Sequence, residues 1–197
     1  GSEMCIRDSM SIVSDIEKLK KEKNAVILAH YYVDEDVQDI ADYIGDSFYL
    51  SKVATKIDQD RIIFAGVEFM GESAKILNPD KRVFMPDMNA DCPMAHMADK
   101  DEILKLREEY DDLAVVCYIN STAELKKYSD VCVTSSNAVK IVKNLPNKNI
   151  FFIPDRNLGH FVAKQCPDKN FIFNNGCCPR HVVITKEMVE LSLIHIS

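Results

Sequence analysis

The chain has 197 residues, of which 47% are hydrophobic, and 31 acidic against 24 basic residues give a net charge of −7. This acidic balance argues against a nucleic-acid partner, because such binding depends on lysine and arginine meeting phosphates. The apolar runs are shorter than the roughly 20 residues that cross a bilayer, and the N-terminus lacks the apolar stretch of a secretory signal. We therefore expect a cytoplasmic protein with no membrane partner, whose seven cysteines stay reduced.

The two ends of the sequence do not continue the patterns beside them. Residues 1–9 and 191–197 resemble translated sequencing-adapter sequence, so we predict that both are non-native and exclude them from the fold. Cys5 and His195 lie in these ends and are expected to carry no function, and Met10 is the expected start.

The first half of the chain alternates helix and strand patterns. Apolar residues at helical spacing predict a helix over residues 11–24, and the apolar run Ala25–Ala29 predicts a strand buried on both faces of a parallel sheet. The further predictions are helices over residues 37–44, 50–57 and 68–77 and strands over residues 62–65 and 83–85.

The second half shows the same alternation after a short charged helix predicted over residues 99–109. The strands are predicted over residues 114–118, 131–133, 150–153 and 171–173, and the helices over residues 123–128, 138–145 and 158–165. Alternating strands and helices imply a parallel sheet covered on both faces, which is a three-layer α/β/α sandwich.

The two halves repeat each other at an offset of 88 residues. Residues 25–32 align with residues 113–120, and Asp46-Ser47 aligns with Thr134-Ser135. A repeat of this length indicates two copies of one domain, which we predict at residues 10–95 and 96–190. Polar groups at matching places in the copies suggest one site built where the copies meet.

Polar side chains follow the first strand of each copy. His30 and Tyr32 follow one strand, and Tyr118 and Asn120 follow its counterpart. Ligands of open parallel sheets bind beyond the carboxyl ends of the strands. A histidine there with a tyrosine two residues on is typical of a proton-transfer pair or a carboxylate clamp, although a structural, half-buried histidine is an equal alternative.

Ser47 and Ser135 lie at matching helix starts, in Gly45-Asp46-Ser47 and in Thr134-Ser135-Ser136-Asn137. Free backbone N–H groups and the positive end of the helix dipole suit a carboxylate or a phosphate. Such residues are also ordinary N-caps, which is the better explanation for either one alone. Their matching places favour an anion site.

The cysteines divide into two kinds. Cys117 and Cys132 lie inside predicted strands and are expected to be small core residues, whereas Cys166 has no assigned role. Cys92 and Cys178 follow strand ends in the two copies, 86 residues apart, and matched loop thiols suggest metal ligation.

Two cysteines complete neither a tetrahedral zinc site nor the usual four-thiolate iron–sulfur site. A zinc site with His181 as third ligand is one way to complete the set. A missing third copy of the repeat, with a further cysteine, is the other.

Several collinear motifs together resemble the quinolinate synthase family over about residues 10–190. They are His30-Tyr31-Tyr32, residues 37–47, residues 69–79, residues 118–124, residues 134–139, residues 154–158 and Gly176-Cys177-Cys178-Pro179-Arg180-His181. The resemblance implies three α/β/α domains around a pseudo-threefold axis, with the third domain missing from this chain. It also implies one [4Fe–4S] cluster, with Cys92 and Cys178 as two of its three cysteine ligands and Cys177 as a bystander.

The resemblance further implies the reaction and the roles of residues in it. The family condenses iminoaspartate, supplied by L-aspartate oxidase or aspartate dehydrogenase, with dihydroxyacetone phosphate to give quinolinate, the precursor of NAD. The iron that lacks a protein ligand would act as a Lewis acid on the substrate. The implied substrate-binding residues are His30, Ser47, Tyr118, Asn120 and Ser135.

Tyr32, together with His30, is implied in proton transfer, and Glu72 and His181 are implied neighbours of the site. Because the third domain is missing, we expect this chain to be inactive alone. A binding protein for a small phosphate or dicarboxylate, without catalysis, is the competing hypothesis. It explains the strand-end polar residues equally well, but it leaves Cys92 and Cys178 without a purpose.

Overall fold

The computed structural model describes the backbone of residues 2–194 and the side chains of residues 12–193. Cys5 and His195, which were expected to have no function, lie outside the described side chains. The chain divides into two compact units, Gly1–Asp91 and Cys92–Ser197.

The first unit contains one four-stranded sheet with all strands parallel. In chain order its elements are α1 (Ser2–Glu22), β1 (Ala25–His30), α2 (Glu35–Asp39), β2 (Tyr43–Gly45), α3 (Ser47–Ala54), β3 (Arg61–Ala65), α4 (Glu68–Leu77) and β4 (Arg82–Phe84). The strand order is β2-β1-β3-β4, so the first strand of the unit is central and its carboxyl end lies between two neighbours.

The second unit repeats this sheet. It begins with a 3-10 helix (Pro93–His96) and continues with α5 (Lys100–Glu109), β5 (Leu113–Tyr118), α6 (Ala123–Lys127), β6 (Val131–Val133), α7 (Ala138–Asn144), β7 (Asn149–Ile153), α8 (Arg156–Gln165), β8 (Asn170–Phe173) and α9 (Lys186–Ile194). The strand order β6-β5-β7-β8 is parallel throughout and matches that of the first unit.

Strand β5 shows why a continuous apolar run becomes a central parallel strand. Val115 packs into a cluster with Ile103 of α5 on one face, and Val116 packs into a cluster with Val142 of α7 on the other. A strand buried on both faces gains from apolar side chains at every position. Helices therefore cover both faces of the sheet, and the predicted α/β/α fold is confirmed.

A hydrogen-bonding pattern built on Asp42 and Asp130 shows the repeat in atomic detail. The Asp42 carboxylate accepts from the backbone N–H of Ile27 at 2.8 Å, and Asp130 accepts from that of Val115 at 2.7 Å. Each carboxylate also pairs with a cation: Asp42 with Lys20, and Asp130 with a guanidinium of α5. The 88-residue offset thus relates residues in equivalent positions.

Two predicted elements differ from the observed ones. The helix expected over residues 37–44 ends at Asp39, and the strand β2 follows it, because the residues from Tyr43 pair with the carboxyl half of β1. Helix α1 begins at Ser2, within the segment that was set aside as non-native, rather than at residue 11.

Cys132 is an exposed residue, and its prediction as a core residue is wrong. It lies on β6, which is an edge strand with a neighbouring strand on one side only, so its side chain remains exposed to solvent. Cys117, on the central strand β5, is fully buried as predicted.

Within residues 2–194, no helix combines the length and the apolar character that a bilayer crossing requires.

Candidate active site

His30 and Tyr32 are in contact at the carboxyl end of β1. The backbone N–H of Tyr32 donates to Nδ1 of His30 at 3.3 Å, and the two rings meet edge to face with centroids 4.5 Å apart. An accepting Nδ1 leaves the proton of a neutral imidazole on Nε2. The Tyr32 side chain is 88% exposed, so its hydroxyl is accessible to a ligand.

The environment of His30 favours the neutral imidazole. Burial lowers the pKa of His30 below its usual 6.5, and the nearby Asp46 carboxylate partly opposes this shift. At neutral pH His30 therefore has an Nε2–H donor toward a ligand and no positive charge of its own.

Ser47 is the first residue of α3, directly after the cap residue Asp46. The Asp46 carboxylate accepts from the backbone N–H of Tyr49 at 2.7 Å, which is ordinary N-capping. Ser47 is half-buried, and its carbonyl accepts from the Ser51 hydroxyl at 2.7 Å. The structure thus places Ser47 beside the carboxyl end of β2, in the same unit as His30.

In the second unit, Tyr118 and Asn120 lie in a tight turn after β5. Ser121, fully buried, donates its hydroxyl to the Tyr118 carbonyl at 2.8 Å and its N–H to the Ile119 carbonyl at 2.8 Å. The side-chain oxygen of Asn120 is buried and has no hydrogen-bond partner among the described residues. A buried acceptor without a donor is costly, so this oxygen is a natural place for a ligand N–H or O–H.

Ser135 lies exposed between β6 and α7, in a loop fixed by its neighbours. The side-chain oxygen of Asn137 accepts from the backbone N–H of Thr134 at 2.7 Å, and the hydroxyls of Thr134 and Ser136 are 2.9 Å apart. The Asn137 side chain makes no capping bond to α7. These contacts order the loop and leave the Ser135 side chain facing solvent.

The loops that lead to Cys92 and Cys178 are anchored in the same way. The N–H of Glu68, the first residue of α4, donates to the Ala90 carbonyl at 2.9 Å. The N–H of Arg156, the first residue of α8, donates to the Gly176 carbonyl at 2.8 Å. Each carbonyl lies two residues before its cysteine, so the two cysteines hold equivalent places despite the change in offset from 88 to 86.

Gly176 and Asn174 hold the Cys178 loop against the segment that follows Cys92. A Cβ on Gly176 would lie 2.3 Å from the Pro154 carbonyl oxygen and 2.8 Å from Cβ of Met97. The buried Asn174 donates its side-chain N–H to the Met97 carbonyl at 2.7 Å, while its amide oxygen has no partner among the described residues. Neither residue was predicted from the sequence, in which the glycine before the two cysteines is the signal that points to this contact.

The donor set of these loops fits a thiolate-ligated metal group. Cys92, Cys177 and Cys178 are partly exposed, and the structure shows no disulfide among the six cysteines whose side chains it describes. Partly exposed thiols on ordered loops suit iron–sulfur ligation. His181 is exposed, and its backbone N–H donates to the Cys178 carbonyl at 3.2 Å. Glu72 is half-buried on α4, in the first unit.

Comparison with known proteins identifies the family. A sequence profile of the quinolinate synthetase A protein family matches residues 14–193. Quinolinate synthase of Fusobacterium nucleatum is 62% identical over 177 residues, which are 89% of this chain and 59% of that protein. Quinolinate synthase of Clostridioides difficile is 54% identical over 177 residues, 89% of this chain and 58% of that protein.

A third relative, quinolinate synthase of Caldicellulosiruptor saccharolyticus, is 53% identical over 182 residues, covering 92% of this chain and 60% of that protein. The chain therefore spans about 60% of the length of the curated relatives that it matches. Among solved structures, the E-1-hydroxy-2-methyl-but-2-enyl-4-diphosphate reductase from Plasmodium falciparum aligns with 81% of this chain and 54% of its own. The TM-score is 0.31 and the sequence identity is 18%, so this likeness carries no argument about function. By the match over residues 14–193, this chain belongs to the quinolinate synthetase A family.

Proposed function

We propose that this chain provides substrate-binding and cluster-binding residues of an enzyme that makes quinolinate for NAD biosynthesis. The reaction joins iminoaspartate and dihydroxyacetone phosphate and releases phosphate and two water molecules. Its support is membership in a family whose relatives are named quinolinate synthase. The observation that carries the assignment of the metal site is the equivalent anchoring of the loops before Cys92 and Cys178.

Cys92 and Cys178 are the proposed thiolate ligands to a [4Fe–4S] cluster. A third thiolate is expected from the part of the relatives' length that this chain does not span. When bound, the cluster supplies a Lewis-acidic iron that polarises a substrate oxygen. Gly176 and Asn174 fix the backbone before Cys178, so that its sulfur is positioned before the metal arrives.

Residues of the second unit bind substrate through complementary hydrogen bonds. The buried side-chain oxygen of Asn120, which has no hydrogen-bond donor among the described residues, accepts from the N–H group of iminoaspartate. The hydroxyls of Tyr118 and Ser135 donate to carboxylate or phosphate oxygens. Because Asn120 and Tyr118 share one ordered turn, the substrate meets donors and an acceptor that need no rearrangement.

Residues of the first unit bind an anionic group and move a proton. Nε2–H of the neutral His30 and the hydroxyl of Ser47 donate to substrate oxygens. The accessible hydroxyl of Tyr32 takes and returns a proton as the triose phosphate isomerises and the ring closes. The edge-to-face contact with His30 holds the Tyr32 ring at the strand end while it does so.

The proposed substrates imply a functional partner. Iminoaspartate must come from an enzyme that oxidises aspartate, namely L-aspartate oxidase or aspartate dehydrogenase. A supply of this kind close to the synthase shortens the time during which the imine is exposed to water.

A chimera tests the proposal on this chain's own residues. In it, residues 10–190 replace the matching part of the Fusobacterium nucleatum relative, and the unmodified relative serves as the parent control. After anaerobic reconstitution we expect about four iron atoms per chain. We also expect quinolinate to form from dihydroxyacetone phosphate and iminoaspartate generated in the assay.

Cysteine variants of the chimera test the ligands. Cys92→Ala and Cys178→Ala should each lose the iron and the activity, whereas Cys177→Ala, one residue away, should keep both. Iron bound equally well without Cys92 or Cys178 would refute the ligand assignment. Two results together would favour the binding protein over the enzyme: retained quinolinate affinity in the variant that lacks both cysteines, and no quinolinate formed by the unsubstituted, iron-loaded chimera.

A further inference from the structure

The second unit holds another pair of thiols, Cys117 and Cys132, outside the proposed metal site. The two residues face each other directly in the parallel register of β5 and β6. Paired residues on neighbouring strands project onto the same face of the sheet. Cys117 is fully buried and Cys132 is exposed, so one thiol of the pair lies in the core and the other is accessible from solvent.

The Cys117 thiol donates to the Tyr118 carbonyl oxygen at 3.5 Å, and it also shares a hydrogen bond with the thiol of Cys132. This hydrogen bond lowers the pKa of Cys132 to about 7, an effect that desolvation opposes and the positive charge of Lys126 reinforces. The same hydrogen bond and burial raise the pKa of Cys117. A large share of Cys132 is therefore thiolate at neutral pH, while Cys117 keeps its proton.

We propose that Cys132 and Cys117 form a peroxide-reactive dithiol that closes to a reversible disulfide between β5 and β6. An exposed thiolate beside a second thiol is the arrangement of redox-sensing cysteines, in which one sulfur is oxidised and the other resolves it. This site is separate from the cluster ligands, and it does not depend on the proposed synthase reaction.

The chemistry balances with a peroxide as the oxidant. The Cys132 thiolate attacks one oxygen of hydrogen peroxide, the O–O bond breaks, and sulfenic acid and hydroxide form. The Cys117 sulfur then attacks the Cys132 sulfur, loses its proton and displaces hydroxide, so that these two combine as water. The two sulfurs lose two electrons in total, and the peroxide gains them.

The backbone geometry permits the bond. Neighbouring strands lie about 4.8 Å apart, and disulfides join residues whose Cα atoms are about 4.4–6.8 Å apart. The two residues already face each other in register, so closure needs only that their Cβ atoms approach to about 3.5–4.5 Å. The disulfide would link the edge strand β6 to β5 one residue before Tyr118, which is the last residue of β5.

Peptide mapping tests the proposal on the metal-free 197-residue chain. The fully reduced chain is treated with one equivalent of hydrogen peroxide at pH 7.5, alkylated and digested with trypsin, which cuts at Lys126 and Lys127. We expect the peptides of residues 108–126 and 128–140 to be recovered as one cross-linked species, which reduction then separates. Recovery of Cys132 as a free thiol, after other cysteines have consumed the peroxide, would overturn the proposal.

Two variants separate the proposed roles, and a third is the control. Cys132→Ala should abolish the cross-link, and Cys117→Ala should leave Cys132 as a sulfenic acid that dimedone traps. Cys166→Ala, which removes another buried thiol, should keep the cross-link in full. A cross-link from Cys132 to any cysteine other than Cys117 would also count against the pair.

The rate of alkylation gives an independent readout. In the parent chain, the iodoacetamide rate at Cys132 should rise with pH through a midpoint near 7. Without the hydrogen bond from Cys117, the midpoint in Cys117→Ala should move upward by about one pH unit or more. An unchanged midpoint would show that the two thiols do not interact.

Discussion

The position of His30 at a strand end influences the charge of this candidate site residue. The ring is half-buried after β1, and this burial disfavours the imidazolium. Asp46 opposes the effect from the start of α3, while the same carboxylate caps that helix. One aspartate therefore has a structural role and an electrostatic one, and the two can be separated by substitution.

Asp46→Asn should lower the pKa of His30 further. Asparagine keeps a side-chain oxygen that can cap α3, so the helix start stays intact while the negative charge is lost. The measurement is an NMR titration of the His30 ring. Asp58→Asn, which removes an exposed charge before the amino end of β3, is the matched control and should leave the His30 midpoint in place. A midpoint that rises in Asp46→Asn would contradict this account of the site.

The same shift makes stability depend on pH in a known direction. Because the folded pKa of His30 lies below the unfolded value of about 6.5, the unfolded state binds its proton more readily. The stability linked to neutral His30 should therefore be complete above about pH 6.5 and should fall as the pH decreases toward the folded pKa. In urea unfolding between pH 5 and 8, His30→Asn should flatten this dependence, and an equal slope in both proteins would disprove it.

At the scale of elements, Asp42 and Asp130 connect the strands to the turns before β2 and β6. Asp130→Ala removes the side-chain acceptor of the Val115 N–H, which should cost about 1 kcal/mol and speed hydrogen exchange at that amide. Asp130→Asn keeps an acceptor and loses only the partly exposed ion pair with Arg107, so its cost should be smaller. Equal exchange rates of the Val115 amide in the two variants would show that the charge, not the hydrogen bond, stabilises this strand.

Asp42→Ala tests whether the equivalent hydrogen bond in the first unit stabilises its strand as much as the one in the second unit. The Asp42 carboxylate accepts from the Ile27 N–H at the equivalent place in the first unit. The exchange rate of the Ile27 amide should therefore rise by a factor similar to that of Val115 in Asp130→Ala. A change at only one of the two amides would mean that equivalent geometry does not bring equivalent stability.

The sequence predicted most elements because apolar runs and helical spacing act locally. It missed β2, since Tyr43–Gly45 forms a strand only through pairing with β1, which no local pattern shows. The repeat held the missing signal, because the counterpart of β2 at residues 131–133 was predicted as a strand. Cys132 was misjudged for a related reason: a strand pattern does not show which strand lies at the edge of a sheet.

The strand-end residues could be proposed as site residues from the sequence, because ligands of open parallel sheets bind beyond the carboxyl ends of the strands. The supporting residues Asn174 and Gly176 could not be found in this way. Their roles depend on contacts with Met97 and Pro154, which are distant in sequence, and no local spacing encodes such contacts.

At the scale of the whole molecule, the two copies provide equivalent cysteines through unequal loops. Ala90 and Gly176 hold the same place in the anchoring hydrogen bond, yet one carries a side chain and the other does not. The loss of two residues before Cys178 accompanies a closer backbone approach at Gly176, where a Cβ would lie within 2.3 Å of the Pro154 carbonyl oxygen. The two cysteine loops should therefore differ in their tolerance to substitution.

Gly176→Ala in the chimera should displace the Cys178 loop and reduce the iron content several-fold. A methyl group at this distance must move the backbone, because the nearest atom is a backbone oxygen and not the end of a flexible side chain. Overpacking of this kind costs about 1–3 kcal/mol. Ala90→Gly, at the equivalent place in the first copy, removes a methyl group and should keep the iron. Gly159→Ala, where the nearest atoms are side-chain atoms at 3.1 Å, should also keep it and is the control for a buried glycine. Full iron content in Gly176→Ala would show that the approach to Pro154 does not position Cys178.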